Sequence, residues 1–500
     1  MRSMRTTGLA AIAALGCLGL APAAARAAVA ITTSPALRPA FDRHVSDYVI
    51  HCVPGKRVQV AVHASGGARV SVAGRKVRGG TFERHVERAS GAAFSMRVRD
   101  HGRSTTHHVR CLPPGFPAWS FEIHGPSQAQ WFVITPLHHA NADYATIVDS
   151  RGTPVWWWRG TGYGPSDGKL LPDGTLAWTR WYGDLFGARD KDAYEVRRPD
   201  GSLVRLVRTV GSPTDTHDMQ VLPNGDYLVD TFRRRCCEDL SAHGGPRNAQ
   251  VFDGEIQELT PAGRLVWRWS SRDHIPLWWT TGDASRRTGW WYGQVTNTPN
   301  HPPRERAYDL VHINSVEPDG DGLIVSARHI DSVFRIDRAS GRIEWKLGGR
   351  HVPGLSLKVV GPHPTPLFSG QHDARLWKDG TLTVYDNNTW GGAPSADRFA
   401  IDPEKRTARL IERITDPAIT SSQAVGSARK LSGGHWVVDW GGNGVVTEQT
   451  EDGTIVRRLR FADEGTYRAV PIEPGVLSAA RLRRGMDRMS ETHRGPAAAR

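Results

Sequence analysis

Apolar positions between residues 128 and 463 fall in short runs that are separated by Asp/Asn-Gly turns, and the runs recur. One recurring unit is a strand, a turn and a second strand. It reads LLPDGTLAW (170–178), VLPNGDYLV (221–229), VEPDGDGLIV (316–325), LWKDGTLTV (376–384) and KLSGGHWVV (430–438). The other ends in a hairpin of the loose form x-D-x-x-G-x-x-x-W. It reads IVDSRGTPVWWW (147–158), VRRPDGSLVRLV (196–207), ELTPAGRLVWRW (258–269), RIDRASGRIEWKL (335–347), AIDPEKRTARLI (400–411) and EQTEDGTIVRRL (448–459). The units alternate, and one pair makes a four-stranded antiparallel sheet, the blade of a propeller. Six outer hairpins and five clear inner ones predict six blades, with a degenerate inner hairpin expected at 128–143. The longest insertions fall at 233–254, 271–310 and 349–370.

Upstream, residues 28–114 alternate with period two, as in Arg57-Val58-Gln59-Val60-Ala61-Val62, and predict a small β-sandwich-like domain. The expected organisation is all-β: a leader (1–27), an N-terminal β domain (28–114), a six-bladed β-propeller (115–465) and a disordered or loosely helical basic tail (466–500). The leader carries Arg2 and Arg5, an apolar run over 9–21 and a small-x-small site at Ala25-Arg26-Ala27. That is the pattern of a signal peptide and predicts a secreted or cell-surface protein. Cys17 raises a lipoprotein alternative, but Ala14 stands where a lipobox needs leucine. No later stretch reaches the roughly 20 apolar residues that span a bilayer.

Composition changes little in this picture. The chain is 39% apolar with 53 glycines, as a turn-rich β protein should be. Its net charge of +13 falls to about +10 without Arg2, Arg5 and Arg26. The remaining arginines are scattered over strands and loops, with no basic helix or aromatic RNA-binding strand, so nucleic acid is not expected as a partner. Four cysteines remain beyond the leader. Cys52 and Cys111 bracket the first domain, and the adjacent Cys236 and Cys237 can pair with each other or elsewhere.

The chemistry emerges when the inner hairpins are aligned on their turn glycines. His217, His312 and His372 each lie eight positions before one, at Gly225, Gly320 and Gly380. The first strand of a blade lines the central channel, so three adjacent blades place a histidine at one height around a funnel. Eight residues after the same glycines stand Arg233, Arg328 and Asn388, and alternation sends Asn314 the same way as His312. Three imidazoles can bind zinc or copper. An adjacent arginine suits an anion instead, and imidazoles with a guanidinium suit sulfuryl or phosphoryl transfer. No metal or other cofactor is therefore expected. Trp278-Trp279 and Trp290-Trp291, within an insertion, are candidates for stacking a phenolic ring or for packing between blades.

His312-Ile313-Asn314-Ser315, Ser326-Ala327-Arg328 and Gln371-His372-Asp373-Ala374 resemble motifs of the bacterial arylsulfotransferases that need no nucleotide sulfate donor. The resemblance covers nearly all of the chain after the leader. It implies an aryl sulfate and a phenol as small-molecule partners and His372 as the nucleophile that is transiently sulfated. His217 and His312 become acid/base and oxyanion-binding residues, and Asn314 and Arg328 grip the sulfuryl oxygens. That family also uses a threonine from a later blade; Gly426 holds the equivalent position here, beside Ser427. Arg233, Asn388, Trp278, Trp290 and Ser427 complete the expected substrate contacts. A nucleophilic imidazole must be unprotonated, so activity is expected to fall below about pH 6, near the reference histidine pKa. The alternative is a non-catalytic secreted propeller that binds an anionic glycan or protein.

Overall fold

The computed structural model describes residues 28–137, 144–160, 164–182, 191–281, 292–294, 306–462 and 465–492. The leader and Trp290 lie outside them. The N-terminal unit is two sheets. One pairs Val29–Ser34, Val58–Ala64 and Gly80–Val86; the other pairs Asp47–His51, Arg103–Leu112, Ala93–Asp100 and Arg69–Val72. Alternation does the sorting: along Val58–Ala64, Val58, Val60, Val62 and Ala64 turn inward. They meet Tyr48, Ile50, Met96 and Val109 of the other sheet in a shared core. Cys52 and Cys111 are disulfide-bonded within this unit, and Cys236 bonds Cys237.

Six antiparallel sheets follow, each with a four-stranded core. Their innermost strands are Gly465–Ile472, Ser166–Leu170, Thr214–Val221, Ile313–Asp319, His372–Leu376 and Ser427–Lys430. Each contacts the next in that order, and Ser427–Lys430 contacts Gly465–Ile472. The inner hairpins turn on glycines in the left-handed region, with φ of 78° at Gly174, 87° at Gly225, 79° at Gly380 and 97° at Gly434.

Two expectations about the chain's ends are corrected. The inner strand sought at 128–143 comes from the other end: Gly465–Ile472 pairs with Trp131–Leu137. Its partner is more than 300 residues away, so no Asp-Gly turn joins the two and the repeat pattern could not reveal it. Trp119–Ile123 likewise adds an outer strand to the last sheet by pairing with Ile455–Phe461. The segment 466–500, expected to be a disordered or loosely helical tail, thus supplies a central strand, and the helix that this reading allowed forms over Ala479–Thr492. Leu482, Met486 and Met489 fall on one helical face and pack with Trp156, Trp157 and Trp178. Arg483 pairs with Asp47, and Asp487 with Arg110, which ties the helix to the N-terminal unit.

Candidate functional site

The inner strands do not alternate simply. Register shifts interrupt their pairing between Ser166 and Lys169, Thr214 and Met219, Ile313 and Ser315, and His372 and Arg375. Left-handed backbone accompanies three of them, at Asp167, His312 and Asp373. Such bulges re-aim side chains, so neighbouring residues can both face inward. The result is two layers at the middle of the ring.

One layer is ionic. Asp167, Asp218 and Asp373, each next in sequence to Ser166, His217 or His372, are fully buried. Lys169 contacts Asp167 and Asp218; Arg375 contacts Asp218 and Asp373; Arg429 contacts Asp373. Arg468, from the strand contributed by the chain's end, joins them: its Nη1 donates to Asp167 (2.8 Å) and to the His217 carbonyl (2.7 Å). Its Nη2 donates to the Asn314 carbonyl. The cations hold Asp218 well below the usual carboxylate range despite burial, and Asp373 at about 2.

The other layer is imidazole. The His217 and His312 rings are 4.6 Å apart, nearly perpendicular, and His329 lies 4.7 Å beyond His312. Every one of these histidines, and His372, is tethered through Nδ1, but the tethers differ. His217 Nδ1 meets Asp215 at 2.6 Å, and His312 Nδ1 meets Asp309. His372 Nδ1 instead faces the Gly370 carbonyl (2.9 Å) and Asn387 Oδ1 (2.7 Å). Asn387 presents its oxygen because its amide group donates to Val425 O and Ser422. A backbone carbonyl only accepts, so His372 carries its proton on Nδ1 and a lone pair on Nε2. His217 and His312, each backed by a carboxyl group, can hold or release a proton along that contact.

Arg328 is buried, donates to Gln423 O at 2.8 Å and has no ion-pair partner among the described residues. Its charge acts on both His312 and His372. Burial, first, then this cation and neighbouring imidazoles hold His312 and His372 well below the ordinary histidine range. Burial, with the Arg468 cation, outweighs the carboxyl groups around His217, which lies at about 4, and burial raises Asp215 to about 8. Asp331 and Asp309 act on this guanidinium without pairing directly with it, and a guanidinium among neutral imidazoles suits an anion.

Other expected contacts are rearranged. Asn314 donates to Gln371 O at 2.7 Å, bracing the strand start beside His372, and its Oδ1 has no partner among the described residues. Arg233 is exposed and pairs with Glu255 at 3.5 Å; Phe232 turns inward instead, against His217 and His312. Asn388 closes a turn through Ala393 O, and its neighbour Asn387 makes the site contact. Ser427 bridges to Ala469 of the adjoining strand and does not face the histidines' tethers. At Gly426 the Tyr385 ring lies 2.3 Å from where a Cβ would stand, so no threonine fits there. Trp278 is exposed, whereas Trp279 is buried beneath Lys346. As for a three-imidazole metal centre, the ligand atoms that converge within 4.8 Å among the described residues are different sets: Asp309, His312 and His329, and Asp215, His217 and Asp230. Asp215, Asp309 and His329 were missed from sequence because polar partners outside the repeat offset carry no periodic signal, whereas Asp386-Asn387-Asn388 reads equally as funnel lining or as a turn, and Asn387 does line the site.

Four buried neutral histidines have a consequence for stability. Below about pH 6.5 the unfolded chain takes up protons at these positions that the folded chain does not. Through these four groups stability falls as pH drops from about 7 to 5, whereas the buried carboxyls of Asp215, raised to about 8, and of Asp386 and Asp439, each raised to about 7, act in the opposite sense by keeping protons that the unfolded chain has lost. Nucleophile availability persists to lower pH than the reference value implied, because His372 stays neutral well below it. At pH 5 the nucleophile should therefore still be unprotonated, and initial rates measured there should persist.

The all-β arrangement of sheets thus gathers neutral imidazoles and a buried guanidinium where its inner strands meet. The chain belongs to the arylsulfotransferase family, whose sequence profile matches residues 186–462. That places it among sulfotransferases, which act on small molecules. No curated protein matches the sequence. Among solved structures, a Bacteroides caccae protein of unknown function is 12% identical, with 69% of this chain and 99% of that one covered at a TM-score of 0.40. A catalytically inactive virginiamycin B lyase from Staphylococcus aureus, with quinupristin, is 11% identical, with 72% and 90% covered at 0.34. The Dos1 propeller is 11% identical, with 70% and 88% covered at 0.29. Likenesses this distant say nothing of what the chain acts on.

Proposed function

We propose that this protein is a secreted six-bladed β-propeller that moves a sulfuryl group from an aryl sulfate to a phenol through a sulfohistidine at His372. The observation that carries the reading is the His372 tautomer: Nδ1 is fixed as a donor by Gly370 O and Asn387, which leaves Nε2 as an unprotonated nucleophile beside Arg328. Nε2 attacks sulfur, the S–O bond breaks with its electron pair going to the phenolic oxygen, and an N–S bond forms. His217 and His312, with Asp215 and Asp309 behind them, supply acid–base and oxyanion-binding contacts. Arg328 balances the three sulfuryl oxygens. The acceptor oxygen then attacks sulfur as its proton passes to a histidine base, and the N–S bond breaks with its pair returning to His372 Nε2. Asn314 joins the grip through its remaining amide hydrogen.

Incubating the purified protein with 4-nitrophenyl sulfate and no acceptor, then mapping mass, is expected to find one sulfate on His372. An unlabelled protein that still binds aryl sulfate or an anionic glycan, with unchanged affinity in His372→Ala, would replace this reading with a non-catalytic module.

A further inference from the structure

His329 lies directly after Arg328 and was not among the residues aligned by the repeat. It occupies the short turn Arg328–Ile330, and its backbone is held on every side. The amide donates to Val311 O at 3.0 Å, while the carbonyl accepts from Thr280 Oγ1 (3.2 Å) and from Thr281 N (3.1 Å). The ring is fixed as firmly. Nδ1 lies 2.7 Å from the backbone carbonyl of Asp309, the residue whose carboxylate tethers His312. Since that carbonyl only accepts, His329 carries its proton on Nδ1 and a lone pair on Nε2, as His372 does. Only 2% of the residue is exposed, and Nε2 has no partner among the described residues.

A buried acceptor left empty costs about 1–3 kcal/mol, so a nitrogen beside a reaction centre and lacking a donor calls for one. A sulfuryl oxygen cannot supply it, because both atoms are acceptors. A hydroxyl can. Resting on the sulfotransferase reading above, we infer that His329 is a fourth histidine of the site and binds the acceptor's hydroxyl, taking its proton during transfer out of sulfohistidine. The O–H bond gives its proton to His329 Nε2 while the oxygen's pair forms the new S–O bond. The N–S bond breaks, and its pair returns to His372 Nε2. The imidazolium left at His329 keeps its Nδ1 hydrogen bond to Asp309 O, with the Asp309 carboxylate 3.8 Å away to balance the charge. Burial, with His312 and Arg328 adding to it, holds His329 at about 3, which keeps it an acceptor until the sulfuryl group's negative charge arrives. In the reverse direction the same nitrogen returns a proton to a departing phenolate. His217 and His312 are then left to the anionic oxygens, which suits their carboxyl-backed protons.

The two half-reactions separate this role from a structural one. 4-Nitrophenolate is a weak base and leaves with little need of a proton, whereas phenol cannot attack well without losing one. In His329→Phe, the burst of 4-nitrophenol from 4-nitrophenyl sulfate is expected within about threefold of wild type, while transfer from sulfohistidine to phenol slows by about 10²–10⁴-fold. His329→Gln, which keeps a donor toward Asp309 O, should show the same split and guards against misfolding of the Phe variant. Equal slowing of both half-reactions, or slowing of neither, would overturn the assignment. A wild-type protein that never acquires sulfate removes the underlying reading as well. A wild type that transfers while both variants transfer equally fast removes only the role of His329.

Discussion

His372→Ala is expected to turn over aryl sulfate at least about 10⁴-fold more slowly than wild type and to carry no sulfate after exposure to donor. The size follows from what the residue does: without a nucleophile there is no covalent intermediate, and only binding and charge stabilisation by Arg328 remain. His217→Ala and His312→Ala make the contrast. Each removes a carboxyl-backed imidazole but leaves His372 Nε2 poised, because the Gly370 and Asn387 tethers are independent of both. Those variants should be slower than wild type yet still become labelled at His372. Radiolabelled donor and a rapid quench measure all three. A labelled His372→Ala protein, or equal labelling lost in all three variants, would refute His372 as the nucleophile. The fold should survive in each, since the ionic layer and the sheet cores lie apart from the ring nitrogens.

The three histidines were legible because they sit on one repeat offset, and the buried cluster brings His217 and His312 within 4.6 Å. What failed was the step from offset to side-chain direction. Strict alternation from the turn glycine selected Arg233 and Asn388, but the inward positions are Phe232 and Asn387. A strand's period of two makes an error of one residue point to the opposite face. Bulges at the strand starts have the same effect on the inner strands, where His217 and Asp218 both enter the interior. Ring closure was illegible for a different reason. Gly465–Ile472 carries no turn of its own, and Tyr467, Arg468 and Ala469 read as a tail until their partners are known. Asp309 and His329 lie at the edge of the long insertion and gain meaning only by what they touch.

Arg468→Met is the substitution expected to damage the fold most. The guanidinium is 1% exposed and joins strands from three other sheets: Asp167 in one, the His217 carbonyl in the next and the Asn314 carbonyl in a third. Methionine fills much of the space but brings no charge. Asp167, Asp218 and Asp373 would then share only Lys169, Arg375 and Arg429, and two buried carbonyls would lose donors. Breaking a buried ionic set by removing one partner typically costs about 3–5 kcal/mol, because the remaining charge stays buried. A fall in melting temperature of about 3–5 °C is expected from that loss in a chain of this size. The double variant Arg468→Met, Asp167→Asn should recover part of it, since Asp167 is the carboxylate with the shortest contact to Arg468 and keeps Lys169 as a neighbour. Recovery in the double variant assigns the loss to uncompensated charge; a single variant that melts within about 1 °C of wild type would mean that water or relaxation replaces the guanidinium. Because the same guanidinium holds the carbonyls of His217 and Asn314, transfer should weaken even at temperatures where Arg468→Met is fully folded. The ionic layer thereby fixes both the closure of the ring and the height at which the imidazoles stand.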